Sequence, residues 1–412
     1  MSKRAVLWIA FAVVHVGVAA LGWVLPNQPM GDVQLVYLTW STDALTGRGV
    51  AGIDVAWVYP QLALVPLVLA KGLQWIAGYE IAWALLVTAL DAAAFAILVG
   101  RGRSSGRFVT AWFWLVFIAM LGPVGMYRLE GVTTPIALAG CLWLVGRPWI
   151  ASALLTVAMW IKVWPAALIV AAVVAVRRRL AVIGTTLALS GVVLLTIVVL
   201  GGGAHALAFV TEQTGRGLQV EAPVSAFYLW RAVAGHPDSF VYYDHEILTF
   251  QVTGPGVEAV IAVMTPVLVA ALIAVVAVGA VKAWRAATFA GLFPPLALAL
   301  VLAMIVFNKV GSPQYLSWLI APLAIGLVLD RRRWWPPAAL ALVAALLTQV
   351  VYPLTYGGVT SPEPFPVAVL TARNVLLVVL FGWTMVMLAR TRTHPHRARR
   401  AVAAAPAPEP IP

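Results

Sequence analysis

Long apolar runs separated by short polar turns dominate the chain. Runs of about 20 residues or somewhat fewer can cross a bilayer as helix. Such runs cover 5–25, 80–100, 108–125, 132–145, 180–200, 256–281, 287–307, 315–329, 336–353 and 366–388, which predicts ten crossings. Two further apolar stretches, 57–77 and 149–176, each carry a proline, Pro66 and Pro165, that can mark a break. The pattern predicts an all-α polytopic bundle of about ten full crossings plus two re-entrant or broken-helix hairpins. The first run follows Lys3 and Arg4 like the front of a signal peptide. It is long enough to span and lacks a small-residue cleavage site, so it reads as the first helix.

Charge sets the direction of each crossing. With Lys3 and Arg4 in the cytoplasm, the clusters Arg101/Arg103/Arg107, Arg147, Arg177 to Arg179, Lys282/Arg285 and Arg331 to Arg333 all fall inside. So do Arg390, Arg392, Arg397, Arg399 and Arg400, provided both proline-bearing stretches return to the side they left. Reading both as single spans puts Arg101 to Arg107 outside. Residues 1–390 thus read as one transmembrane domain with exterior loops 26–56 and 201–255. Residues 391–412, basic and then Ala/Pro-rich, read as a disordered cytoplasmic tail. The loop 201–255 is too short for an independent domain and long enough to cap a cavity.

Composition agrees with this reading. At 62% hydrophobic and 10% charged residues, the chain is excluded from the soluble globules, whose charged share is about 25%. The formal charge of +12 lies in short clusters between apolar runs, where topology rather than nucleic acid accounts for it. Cys141 is the single cysteine and lies in an apolar run, so there is no disulfide framework. A Walker loop, GxGxxG and a paired Asp-x-Asp are all absent, which argues against a nucleotide-sugar site. His205, His236 and His245 share the large loop at spacings that match no metal signature. No cofactor or metal is expected.

Eight of the 27 basic residues escape the topological account: Arg48, Lys71, Arg128, Lys162, Arg216, Arg231, Lys309 and Arg373. The acids concentrate on the exterior side. The stretch 30–60 alone holds Asp32, Asp43 and Asp54, and Asp32 follows the first helix at the bilayer edge, where a carboxylate is a functional hypothesis by default. Cations at a membrane edge suit a lipid-linked phosphate. A hydroxyl attacking a sugar needs one general base. A glycosidase needs a second carboxyl as acid, whereas a phosphate leaves without one. Two tasks fit these residues, glycosyl transfer from a lipid-linked donor and transport of a charged or lipidic solute. The bland alternatives are a helix cap for Asp32 and a snorkelling Lys162.

Five segments recur in a telling order: GDVQLVY (31–37), VYPQLAL (58–64), KVWP (162–165), RGLQVE (216–221) and NKVGSPQYLSWL (308–319). Together they resemble the membrane-embedded GT-C-fold glycosyltransferases, and among these the bacterial polyprenyl-phosphate-mannose-dependent α-mannosyltransferases. The resemblance implies inverting transfer of a sugar, usually mannose, from a polyprenyl-phosphate donor to a glycolipid or glycan hydroxyl, on the outer face of a bacterial cell membrane. It implies Asp32 as the catalytic base, and Arg128, Lys162, Arg216 and Lys309 as holders of the donor phosphate. Asp54, Tyr59, Glu130, Glu221, Gln314 and Tyr315 would contact substrate. The chain departs from the family in two places. Gln61 stands where the family has a second proline, and Leu129-Glu130 replaces an aromatic and Asp. Glu221 reads equally as a salt-bridge partner of Arg216. Trp164 and Trp318 read as lipid-facing. The rival expectation is a transporter or flippase of a lipid-linked sugar, against which the lack of a visible internal repeat argues.

Overall fold

A computed structural model describes residues 2–102 and 104–394, without the side chains of Gln213 and Thr214. The chain opens with α1 (Lys3–Val24), followed by a wide helical turn at Asp32–Tyr37 that runs into α2 (Leu38–Thr46). Then come α3 (Leu64–Leu73), α4 (Tyr79–Val99), α5 (Ser105–Leu121), α6 (Glu130–Trp143), α7 (Pro148–Ile161), α8 (Ala166–Ala175) and α9 (Arg179–Val199). The large loop contains α10 (Ala208–Thr214), α11 (Ala226–Val233) and the antiparallel strands β1 (Phe240–Asp244) and β2 (Thr249–Thr253). The chain continues through α12 (Val257–Trp284), α13 (Phe289–Val306), a tight turn at Pro313–Leu319, α14 (Ile320–Gln349), α15 (Gly357–Thr360) and α16 (Pro364–Ala389).

The helical bundle follows the apolar pattern, and eight helical segments among the described residues are long and apolar enough to cross a membrane. Three details differ from the sequence reading, and one, at 149–176, follows it. The run 132–145 becomes α6, whose 14 residues span only about 21 Å. The stretch 57–77 is one ten-residue helix rather than a pair. Pro66 lies in its first turn, where a missing N–H costs nothing. The stretch 149–176 does divide, into α7 and α8, with the break at 162–165. Finally, the all-helical expectation omits the hairpin β1–β2, pinned by the cross-strand pair Tyr243–Phe250.

The runs 315–329 and 336–353 appear as one helix interrupted at Asp330, whose φ of −151° and ψ of 81° are not helical. Trp334 folds back onto Gly326, a position where any side chain would collide with the indole. The two halves therefore form a hairpin, with Arg331 to Arg333 at its tip.

Packing sorts the bundle into a centre and a rim. Helix α13 is buried along nearly its whole length, and Trp83, Trp114 and Trp334 are among the largest buried side chains of the core. Helices α9 and α12 expose Leu187, Val192, Leu195, Val263 and Ile273, as helices facing lipid do.

Sidedness follows from contacts between turns. At one end Gly102 lies beside Arg4 and Gly106 beside Val328, while Arg333 Nη2 donates to the Met387 carbonyl at 3.1 Å. Thr391 Oγ1 donates to Gly291 at 3.0 Å, and His394 N donates to Arg285 at 3.0 Å, so the start of the tail is held against the α12–α13 turn. The tail from 395 onward lies outside the described residues. The opposite end gathers the loops. Gln61 Nε2 donates to His205 O at 3.0 Å, Gln219 N to Lys309 O at 3.0 Å, and Arg373 Nη2 to Glu221 O at 3.0 Å.

Candidate functional site

Asp32 stands where the chain leaves α1. Asn27 and Gln28 adopt left-handed backbone with φ of 58° and 51°, a costly conformation for residues with a Cβ. Two contacts hold it: Asn27 Nδ2 donates to Pro353 O at 2.6 Å, and Tyr352 OH donates to Gln28 O at 3.0 Å. The bend delivers Asp32 to the first turn of the helix that continues into α2, where the helix dipole favours a carboxylate. One third of its side chain remains exposed.

Arg128 sits behind it, buried. Its Nε lies 3.2 Å from Asp32 Oδ2. Its Nη1 donates to Pro29 O at 3.0 Å and Tyr127 O at 2.9 Å, and its Nη2 to Tyr352 OH at 3.1 Å. Four of the five guanidinium N–H donors are thus committed within the protein. The arginine expected to grip a phosphate instead fixes the position of Asp32, with Tyr37 OH 3.5 Å from the same carboxylate oxygen.

A second ion pair lies deeper. Lys162, at the end of α7, places Nζ 2.6 Å from Glu130 Oε1 at the start of α6. Trp318 Nε1 donates to the same oxygen at 3.2 Å. Glu130 is fully buried, and its Oε2 has no hydrogen-bond partner. Lys162 also lies 5.3 Å from the centre of the Tyr59 ring. One ammonium N–H points to Glu130, leaving two for another acceptor. Trp164 and Trp318 stack on each other with centroids 6.0 Å apart, and Tyr315 stacks on Trp318 at 4.1 Å. Both tryptophans are buried, which corrects the lipid-facing expectation.

Tyr59 ties these groups together. Burial pushes its phenol up, Asp32 and Glu130 push it further, and Arg216 and Arg128 pull it back, so all four charges act on one ring. Arg216 and Lys162 also lie within electrostatic reach of Tyr315. The Nε of Arg216 is buried and has no hydrogen-bond partner among the described residues. Asp32, Glu130, Lys162 and Arg216 therefore lie within electrostatic reach of the Tyr59 and Tyr315 rings.

The remaining expected residues make the following contacts. Glu221 pairs with Arg373 at 3.2 Å rather than with Arg216; burial pushes its carboxyl up and Arg373 pulls it back. Lys309 is buried, and its carbonyl accepts from Gln219. Gln314 Oε1 accepts from Ser312 Oγ at 2.7 Å. Gly311 lies against the backbone of Ala222, locking RGLQVE to NKVGSPQ. Asp54 is exposed and accepts from Val50 N at 2.7 Å within its own turn, so its carboxylate serves that turn. Asp43 pairs with Arg48 at the surface. Arg231 donates two hydrogen bonds of 2.9 Å to Asp238, which hold that carboxyl below its usual range.

Five of the eight bases left over by topology are thus matched to acids: Arg48, Arg128, Lys162, Arg231 and Arg373. The sequence reading missed Tyr352 and the Glu221–Arg373 pairing. A signal for Tyr352 exists, since Val351-Tyr352-Pro353 repeats the triplet Val58-Tyr59-Pro60. Among the described residues, no group of three His, Cys, Asp or Glu side chains could hold a metal ion. No family model matches the chain, and no curated protein matches it.

Proposed function

We propose that the protein is an inverting glycosyltransferase that moves a sugar, mannose by resemblance, from a polyprenyl-phosphate donor to a glycolipid or glycan hydroxyl on the extracytoplasmic face. The observation that carries this reading is the pairing of a held, partly open carboxylate with a buried guanidinium N–H that has no partner among the described residues. Asp32 is fixed by Arg128 yet one third exposed, and the buried N–H is the Nε of Arg216.

In this reading Asp32 takes the proton of the acceptor hydroxyl, whose oxygen attacks the anomeric carbon. The bond from that carbon to the phosphate oxygen breaks, and polyprenyl phosphate leaves with the electron pair. Arg216 and the two uncommitted N–H groups of Lys162 meet the charge that develops on the phosphate, a task suited to preorganised donors. Lys309 lies on the segment that Gly311 anchors to RGLQVE. Tyr59 and Tyr315 supply ring faces for the sugar.

Helix lengths support a lipid-borne donor. Fourteen residues of α7 rise about 21 Å from the Arg147 face, and the hydrocarbon layer is about 30 Å thick. Lys162 and Glu130 then lie below the opposite surface, where a lipid phosphate can reach them.

The test is incubation of purified protein with labelled polyprenyl-phosphate mannose and a panel of mannoside acceptors. Expected are a labelled glycan and free polyprenyl phosphate from the wild type. Asp32→Asn should lower turnover by about 10² to 10⁴-fold. Near-normal turnover in that variant removes Asp32 as base, and no cleavage by the wild type removes the reading.

A further inference from the structure

One polar feature inside the bundle stands apart from the transfer chemistry. His15 on α1 and Asp91 on α4 meet at 2.9 Å, both buried in spanning helices. Phe11 O lies 2.9 Å from His15 Nδ1 and can only accept, so Nδ1 carries a hydrogen. One further proton then lies between Nε2 and Oδ2, and the pair is neutral whichever atom holds it. Neutrality explains how the pair resides in the membrane interior.

Asp91 also lines an internal cavity with room for one water molecule. Thr134 of α6 and Ser317 of the Pro313–Leu319 turn face the same cavity, and Trp114, Ile118 and Ile320 form its apolar wall. Thr134 Oγ1 and Ser317 Oγ are buried and have no hydrogen-bond partner among the described residues. Two unanswered hydroxyls are costly in a membrane interior. With the Asp91 carboxyl they make three polar partners around a water-sized space, the usual complement of a buried water.

We propose that this cavity binds one water molecule, hydrogen-bonded to Thr134, Ser317 and Asp91, and that this water positions Glu130 and Trp318 beside Lys162. The positioning role rests on the transferase reading; the water site does not. Thr134 lies one helical turn from Glu130 on the same face of α6. Ser317 directly precedes Trp318, whose indole donates to Glu130. A water joining the two hydroxyls clamps α6 to the turn beside that contact, and Asp91 anchors the clamp to α4 and α1.

The site is tested by a cryo-electron microscopy map of the full chain in lipid nanodiscs, at a resolution that shows ordered water. The expected result is a peak within hydrogen-bond distance of all three side chains, absent in the double variant Thr134→Val/Ser317→Ala. An empty cavity in the wild type overturns the proposal. A melting temperature that rises with sodium chloride but not with choline chloride marks a bound cation instead and overturns it equally.

The positioning role is tested by kinetics. The double variant should raise the donor KM about tenfold, the size of coupling seen between neighbouring groups, and Thr134→Ser/Ser317→Thr, which keeps both hydroxyls, should restore it. A lowered melting temperature with unchanged KM reduces the water to a structural one and overturns the positioning role. If the wild type transfers nothing, the transferase reading fails while the map still decides the water site. An empty cavity in an active wild type removes this inference alone.

Discussion

The two ends of the bundle carry the same residue types to opposite purposes. At the end marked by Arg4, Arg147, Arg177 to Arg179 and Arg331 to Arg333, the arginines are exposed, and none belongs to an ion pair of the described residues. At the other end five bases are each matched to a carboxylate, and three of these pairs, through Arg128, Lys162 and Arg373, involve buried bases or acids. Charge at the first end is answered by water and a lipid surface, with Arg333 also donating to the Met387 carbonyl. In the Arg128, Lys162 and Arg373 pairs of the second end, charge is desolvated and is held there by geometry. Polar chemistry is built at the end where cations are constrained.

Removing one partner of a buried pair should break the second end most severely. Lys162→Met leaves Glu130 as a lone buried carboxylate, and Arg373→Met does the same to Glu221. Each should cost about 3 to 5 kcal/mol, read as a loss of thermal stability in detergent. Adding Glu130→Gln to Lys162→Met should recover most of it. A double variant no more stable than the single one would show that the pairing is not what holds α6 to α7.

Gly311→Ala comes next. The new methyl group meets the Ala222 backbone, which has no flexible end to move aside. A loss of about 1 to 3 kcal/mol is expected from such overpacking, with proteolysis rising first in the loop 201–255. Arg216→Ala should be smaller, raising the donor KM about tenfold by loss of one charge-assisted contact while leaving the melting temperature in place. An unchanged KM would place the phosphate elsewhere. Smallest is Arg48→Ala. That pair is exposed at the surface, so stability should move by less than about 0.5 kcal/mol; a larger change would contradict the contrast drawn between exposed and buried pairs at this same end.

How much of this could be read beforehand differs by kind of residue. The spans were legible because a 20-residue apolar run has few alternatives in lipid, and the hairpin at Asp330 was legible from the charges at its tip. The eight stray bases were legible as an anomaly of topology. Their partners were not. Arg373 and Glu221 lie 152 positions apart, and no local pattern announces that they meet. The setting of Arg128 was hidden for the same reason, because Pro29, Tyr127 and Tyr352 take up its donors from three separate segments. Pro66 misled because a proline in the first turn of a helix looks, in sequence, like one that breaks it. The hairpin β1–β2 was hidden in a loop whose alternation, Phe240 to Asp244, is short and half exposed.

The most direct test of the central claim follows both halves of one donor in sealed proteoliposomes, using polyprenyl-phosphate mannose labelled separately on sugar and lipid. The account predicts that the labels part company, with the sugar on an exterior acceptor and the lipid recovered as polyprenyl phosphate, and that Asp32→Asn keeps them joined. Labels that cross the membrane still joined, at equal rates in wild type and Asp32→Asn, would contradict it.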